Sequence, residues 1–288
     1  MTRIAIITHK FDRFLRRSYL LSGILNEVEQ AGIEVEVTHG HRQFVRADLA
    51  ILHVSSTIIS AEYVALAKRY PRTLNLAVND VRKSRISGAA LRRDENWDGP
   101  VIVKTELNSH GGAERFHNCL AAKRGKRLPY PALAEKSGYE IFERAADVPD
   151  AIWQDRALAV ERFLPERDPR GYALRTWVFM GSRETCSRCI ALKPIVKGAG
   201  IIARELIAVP DELRMIRRQL GFDYGKFDYV EHDGLPVLLD ANPTPRIPPS
   251  FADVLSRSAK QLAPGLLELL QEADGSGWFS RVARRFRI

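Results

Sequence analysis

The chain has 288 residues, is 45% hydrophobic and 27% charged, and carries 44 Lys and Arg against 35 Asp and Glu, a formal net charge of +9. That length and apolar content provide a core spread over about two domains and exclude wholesale disorder. No apolar run approaches the ~18 residues of a membrane span, and the opening MTRIAIITHK reads as a first strand, without the h-region or cleavage site of a signal peptide.

Residues 3–8 alternate into an Ile-rich strand. Phe14, Ser18, Leu21, Leu25 and Val28 then recur at steps of three and four, a helical spacing, and Gly32 stands where a helix C′ glycine is expected. Strands follow at 33–38 and 47–54, a helix at 61–70 and a strand at 73–78. Strands alternating with helices predict a parallel α/β sheet, and no GxGxxG follows the first strand. From about residue 82 the rhythm changes. Residues 82–98 are a polar, basic linker or short helix. VIVK at 101–104 is a strand, ELNSHGG at 106–112 a glycine-bearing loop, and 115–138 is basic and poorly periodic. Strands are predicted at 139–142, 158–163, 172–181 and 190–196, and a helix at 209–220. Residues 251–272 are helical with a break at Pro264-Gly265. The tail places Trp278, Val282 and Phe286 at four-residue spacing, as a short amphipathic helix docked on the body.

Cys119, Cys186 and Cys189 are too few for a disulfide framework, which points to a reducing, cytoplasmic setting. The CxxC of Cys186 and Cys189 lacks the further ligands of a zinc site and reads as two thiols in a turn between strands. The basic excess clusters at 13–17, 82–93, 123–127 and 281–287. No helix-turn-helix, zinc-finger or RNP pattern accompanies it, so no nucleic-acid partner is expected.

The segment 222–245, FDYGKFDYVEHDGLPVLLDANPTP, is a predicted hairpin turning at Asp233-Gly234. A two-residue loop would pair His232 with Leu235 and send Asp228 and Asp240 to opposite faces. A three-residue loop closed by Gly234 pairs Glu231 with Leu235 and sets Asp228 opposite Leu238, on one face with Asp240 and Asn242. The three-residue form is expected, with Phe227, Tyr229, Val237 and Leu239 on the core face. An acid inside VLLDANP needs a partner or a metal, and three such oxygen ligands suit Mg²⁺.

DYGKFDYV and LLDANPTP resemble the closing motif of the ATP-grasp superfamily, of the carboxylate–amine ligase type that includes RimK-like ligases, glutathione synthetase and D-alanine–D-alanine ligase. The resemblance covers most of the chain, most specifically at the hairpin. It implies an ATP-grasp fold, α+β in its nucleotide part, behind an N-terminal parallel α/β pre-ATP-grasp domain. The matching boundaries are 1–82 for that domain, 83–273 for the ATP-grasp domain with a lid subdomain at about 99–163, and 274–288 for the tail. It also implies ATP and two Mg²⁺ ions, with Mn²⁺ as a substitute, on Asp228, Asp240 and Asn242. Lys104 would reach the phosphates and the 108–112 loop, with Gly111 and Gly112, would close over them. The backbone of Glu161, Arg162, Phe163 and Leu164 would read adenine, and Asp168, or else Glu166, would bind ribose. Arg175 and Lys193 are candidates for phosphate or acyl-phosphate contact. NDVRKS resembles a segment carrying an earlier phosphate lysine, here Lys83, but only 21 residues separate it from Lys104 (104 − 83), a shorter interval than the family pattern has.

Arg246 after the NPTP turn is a candidate carboxylate clamp, since Arg binds carboxylates bidentately. His9, Lys10 and residues 55–57 lie at strand ends, where α/β sheets bind ligands. The implied reaction activates a small-molecule carboxylate as an acyl phosphate and joins it to an amine, in a chain that can form a homo-oligomer. A kinase of a hydroxyl acceptor and a non-catalytic ATP-binding regulator remain alternatives.

Overall fold

Ile4, Ala5, Ile6 and Ile7 follow one another without a polar break and are all fully buried, the mark of a strand covered on both faces. The computed structural model describes residues 2–14, 18–133 and 138–274. Its first layer comprises β1 (Arg3–Thr8), α1 (Leu20–Gln30), β2 (Glu34–His39), β3 (Leu49–His53), α2 (Ala61–Ala67) and β4 (Thr73–Leu74). The strands form a parallel sheet in the order β2-β1-β3-β4. Ile4 and Ile6 pack under α1, while Ala5 and Ile7 join the core that includes Tyr63 and Leu66 of α2. Two expectations shift here. The first helix starts at Leu20, and Phe14 instead stacks on Tyr19 with ring centroids 5.5 Å apart. The strand expected to reach residue 78 stops at Leu74 because Asn75 turns left-handed (φ 58°). The Asn75 side chain then donates to the Tyr224 carbonyl and accepts from the Asp223 and Tyr224 N–H groups.

Next come α3 (Lys83–Ile86), β5 (Val101–Thr105), α4 (Gly112–Ala122), β6 (Glu140–Phe142), α5 (Asp150–Gln154) and β7 (Leu158–Arg162), with the strands antiparallel in the order β6-β5-β7. Helix α4 falls where the sequence reads as aperiodic. Its buried face is Glu114, His117, Leu120 and Ala121, so two polar residues break the apolar stripe that a periodicity argument needs.

The third layer holds β8 (Glu166–Asp168), β9 (Gly171–Met180), β10 (Arg183–Ala191), β11 (Ile201–Leu206), α6 (Asp211–Leu220), β12 (Tyr224–His232) and β13 (Leu235–Asn242). These strands run antiparallel in the order β11-β10-β9-β12-β13, with β8 beside β9. On one face Trp177, Phe179, Phe227, Tyr229 and Leu238 pack with Leu213 of α6. The strand expected at 190–196 is β10, which ends at Ala191. Cys186 and Cys189 therefore sit inside a strand and not in a turn, and three residues apart they point to opposite faces.

Helix α7 (Ala252–Asp274) runs through Pro264 without the expected break. Its Leu262, Ala263, Leu266 and Leu270 complete the core beneath α1, and that burial outweighs the roughly 3 kcal/mol that an interior proline costs. Gly265 is required, because a Cβ there would come within 1.9 Å of the Met180 carbonyl oxygen. The tail at 275–288 lies outside the described residues. Among those described, no helix is long and apolar enough to cross a membrane.

The first and second layers are joined around the chain after β1. His9 stacks on His117 of α4 at 3.8 Å, Ser56 and Tyr130 share a 2.6 Å hydroxyl hydrogen bond, and the Thr57 N–H donates to Glu114 at 2.7 Å. His9 is 4% exposed; burial, aided by the Lys10 charge, pulls its pKa down to about 4. An unfolded histidine titrates near 6.5, so the unfolded chain binds a proton between these values that the folded one refuses. His9 thus withholds no stability above pH 6.5 and progressively more as pH falls to 4, roughly 3 kcal/mol at the limit. Chemical denaturation should show stability falling from pH 7 to pH 4.5, with His9→Phe flattening part of the slope. An unchanged slope in the variant would assign the effect to another group.

Candidate active site

Asp233 (φ 51°) and Gly234 (φ 77°) are both left-handed and make a two-residue turn that pairs His232 with Leu235, as Asp-Gly favours. The three-residue turn expected from the sequence is therefore not the one formed. The carboxylates nevertheless reach one face by another device. Tyr229 pairs with Leu238 and Asp228 pairs with Asp240, so Leu239 is the extra residue of a β-bulge. Beyond the bulge Lys226 lies opposite Asn242. The same shift gives Leu238 to the aromatic core and turns Leu239 to the other side.

This face looks into a cavity of about 290 Å³, closed by β5, by the segments around Phe163 and Ile195, and by the loop Asn108–Gly111. Its polar part carries Lys83, Lys104, Lys226, Asp228, Asp240 and Asn242; its apolar part, toward the hairpin turn, includes Phe163, Leu164, Leu174, Val230 and Leu239. Lys83, the first residue of α3, is 7% exposed and donates to Asp240. Burial works against its ammonium, but Asp240 outweighs burial and the pKa ends above the ordinary lysine value. Burial likewise disfavours the Asp240 carboxylate, yet Lys83, Lys226 and Lys104 hold its pKa below the usual range. Asp228 accepts from Lys226 at 2.8 Å and from the Thr176 hydroxyl at 2.9 Å. Lys104 meets Glu161 at 2.5 Å; Glu161 is fully buried and its Oε1 has no hydrogen-bond partner.

In the loop at 108–111, Ser109 (φ 49°), His110 (φ 55°) and Gly111 (φ 71°) are left-handed in succession. This costs the two non-glycine residues roughly 1–2 kcal/mol each, a strain of the kind stored at ligand-binding loops. Asn108, Ser109 and His110 line the cavity, whereas Gly111 and Gly112 lie behind them and lead into α4.

The other residues singled out by sequence divide. Lys83, Lys104, Arg162, Phe163, Leu164, Asp228, Asp240 and Asn242 line the cavity, and Glu161 supports it through Lys104. Asp168 does not line it. Arg170 at 2.9 Å and Arg188 at 2.5 Å hold its carboxyl far below the usual range. Arg175 is also outside, bonded to Glu166 at 2.9 Å and to Glu231 at 2.7 Å. Lys193 is exposed beside the wall, and Arg246 is exposed with its guanidinium 5.9 Å from the Tyr19 ring centroid. Sequence reasoning passed over Lys226, Thr176 and Tyr139. Lys226 was legible, since two residues before Asp228 on a strand is the same face.

Among the described residues no group of three or more His, Cys, Asp or Glu side chains is placed to hold a metal. The donor set is two carboxylates and an amide, whose Oδ1 also accepts the Thr244 N–H at 2.9 Å. Hard oxygen donors in that number fit Mg²⁺ that completes its shell with phosphate and water, and the ammonium groups already drawn to both carboxylates mark the spot as cation-seeking.

No family model matches the chain, and no curated protein sequence matches it. Among solved structures it is similar to the ATP-grasp ligase PsnB complexed with minimal precursor, Mg and ADP, with a TM-score of 0.50 and 14% identity over 95% of this chain and 98% of that one. D-alanine–D-alanine ligase from Bacillus anthracis complexed with ATP gives a TM-score of 0.49 and 14% identity over 94% and 99% of the two chains. A RimK domain protein ATP-grasp from Sphaerobacter thermophilus DSM 20745 gives 0.44 and 15% over 92% and 100%.

The two ion pairs differ in what removal of the acid leaves behind. Asp240→Ala strands Lys83 in the interior and should destabilise the nucleotide-free protein by about 3 kcal/mol. Asp228→Ala leaves Lys226, whose side chain is 31% exposed against 8% for Lys83, and should cost less. Urea denaturation of both variants without metal tests this ranking.

Proposed function

The chain has the ATP-grasp fold, and we propose that it is an ATP- and Mg²⁺-dependent ligase that activates a substrate carboxylate as an acyl phosphate and joins it to an amine, releasing ADP and phosphate. The observation that carries this reading is the bulged hairpin register, which sets Asp228 against Asp240 beside Asn242 and Lys226 in a cavity that Lys83 and Lys104 also enter.

The apolar part of the cavity suits a flat base. Phe163, Leu164, Leu174 and Leu239 supply its walls. The Arg162 and Phe163 N–H groups already donate to the Ala89 and Pro100 carbonyls at 2.8 Å, so the base edge falls to the Leu164 N–H and neighbouring carbonyls. The phosphates then lie over the polar part, under the strained 108–111 loop. Asp228, Asp240 and Asn242 would hold Mg²⁺, which would supply neutralisation of the charge on the transferred group.

The residues' own contribution is positioning and electrostatics. Lys83 and Lys226 give up Asp240 and Asp228 and turn to phosphate oxygens, while Lys104 stays anchored by Glu161. The substrate carboxylate, already ionised, needs no base to attack the γ-phosphorus. The bond from that phosphorus to ADP breaks, and the amine nitrogen then displaces phosphate from the carbonyl carbon, its surplus proton leaving with the phosphate. Arg175 serves at one remove, by fixing Glu166 and the strand after Phe163; Lys193 and Arg246, off the cavity wall, are assigned no role.

The test is ADP release with Mg²⁺ across pooled amino acids, dipeptides and acidic peptides. Asp228→Asn and Asn242→Ala should each lower kcat at least ~100-fold with the folded state retained, and chelation should abolish turnover. Turnover equal to the parent in both variants would sink the metal assignment. Tight ATP binding with no ADP formed on any substrate would favour a nucleotide-responsive binding protein.

A further inference from the structure

Arg3, Arg82, Arg144, Arg170 and Arg188 each sit within ion-pair distance of a carboxylate. One surface instead gathers several cations without such partners. Lys10, Arg13, Lys123, Arg124, Lys126 and Arg127 are all exposed, and none pairs with a carboxylate among the described residues. They come from two segments far apart in sequence. Phe11, buried against Phe116, Leu120 and Ala121 of α4, brings them together. The Lys10 ammonium lies 5.2 Å from its ring centroid and the Arg124 guanidinium 5.7 Å. After α4, Gly125 turns left-handed and the Lys126 N–H reaches back to the Ala121 carbonyl at 2.9 Å, which folds the basic run against the helix end. The nearby acids are spent inward: Asp12 accepts from the Tyr19 hydroxyl and Glu114 from the Thr57 N–H. Like charges gathered this way repel. The buried His9–His117 stack and the Ser56–Tyr130 bond hold them in place, so the patch is maintained by the fold and not by its own interactions.

The ATP phosphates do not account for this patch. Helix α4 begins at the cavity loop and carries the patch at its other end, eleven residues away, or roughly 16 Å at helical rise. A single small carboxylate does not account for it either, since one arginine satisfies it. Six cations on two segments match an extended polyanion. Roughly five extended residues span the distance back to the phosphates. A peptide rich in Asp and Glu supplies both the recognition charge and the carboxylate that the cavity would activate. A nucleic acid supplies no carboxylate, and Phe11, the ring that Lys10 and Arg124 flank, is buried and unavailable for stacking on bases.

We propose that the surface formed by Lys10, Arg13, Lys123, Arg124, Lys126 and Arg127 binds an acidic peptide, one carboxylate of which is the group activated in the cavity. The second half of this statement rests on the ligase reading; the binding itself does not. The test is fluorescence anisotropy of a labelled Glu-rich peptide on the full chain, with ATP affinity measured in parallel. The probe variants are Lys123→Gln/Arg124→Gln/Lys126→Gln/Arg127→Gln and, independently, Lys10→Gln/Arg13→Gln. Each should weaken peptide binding roughly tenfold or more while leaving ATP affinity unchanged, and raising salt from about 50 to about 300 mM should weaken the parent similarly. The proposal is overturned if the parent does not bind the peptide, if both variants bind it as the parent does, or if a neutral peptide or a single-stranded RNA of the same length binds as tightly. Peptide binding with no ADP release would remove the ligase reading and leave the patch standing.

Discussion

Two carboxylates set directly opposite one another across a hairpin repel, and the organisation around the cavity follows from the need to offset that repulsion. The bulge at Leu239 creates the pair. Lys226, one step along the same strand face, answers Asp228; Lys83 comes from α3 to answer Asp240. That second contact, with the Gly88 N–H donating to the Leu238 carbonyl at 2.8 Å, ties the chain leaving the first sheet to the outermost strand of the third. Ion pairs in such surroundings add little net stability, because desolvation consumes most of what the attraction returns. Their value lies in being exchangeable: a ligand that brings its own cations and anions can take both halves of each pair.

Arginine and lysine are used differently on the two sides of the third sheet. Glu166 accepts from Arg175 and Arg188 and from the Glu231 N–H, while Asp168 accepts from Arg188 and Arg170. Planar, permanently charged guanidiniums bonding in this fashion make a rigid lattice. It clamps β8 onto β9 and β10, and so fixes the far end of the segment that carries Phe163 and Leu164. The near end is fixed by the Phe163 N–H on Pro100. The apolar wall of the cavity is thus held at both ends, while the polar part is furnished with flexible ammonium side chains.

Much of the first sheet was legible because short apolar strands alternate there with helix-spaced segments, and the hairpin because few segments place acids in so apolar a run. The bulge was not legible. With Val237, Leu238 and Leu239 all apolar, alternation alone fixes no register, and turn arithmetic reached the right face by the wrong turn. Helix α4 was hidden by Glu114 and His117, polar residues buried because the 55–57 segment and His9 lie against them. The resemblance made Arg175 a phosphate candidate but carried no information about β8, which pairs beside β9 and whose Glu166 claims the guanidinium. Lys83 sat at an unexpected interval from Lys104, yet the short α3 turn delivers it to the cavity all the same.

The core beneath α1 draws on both ends of the chain, with Ile4, Ile6, Leu21 and Leu25 packed among Leu262, Leu266 and Leu270 of α7. During synthesis the strand β1 and helix α1 would emerge before their α7 partners were made. They would wait, with an apolar face uncovered, until residues 262–270 had been made. Such a long-range closure makes for slow folding and for an intermediate prone to self-association. Only the docking of α7 covers that face.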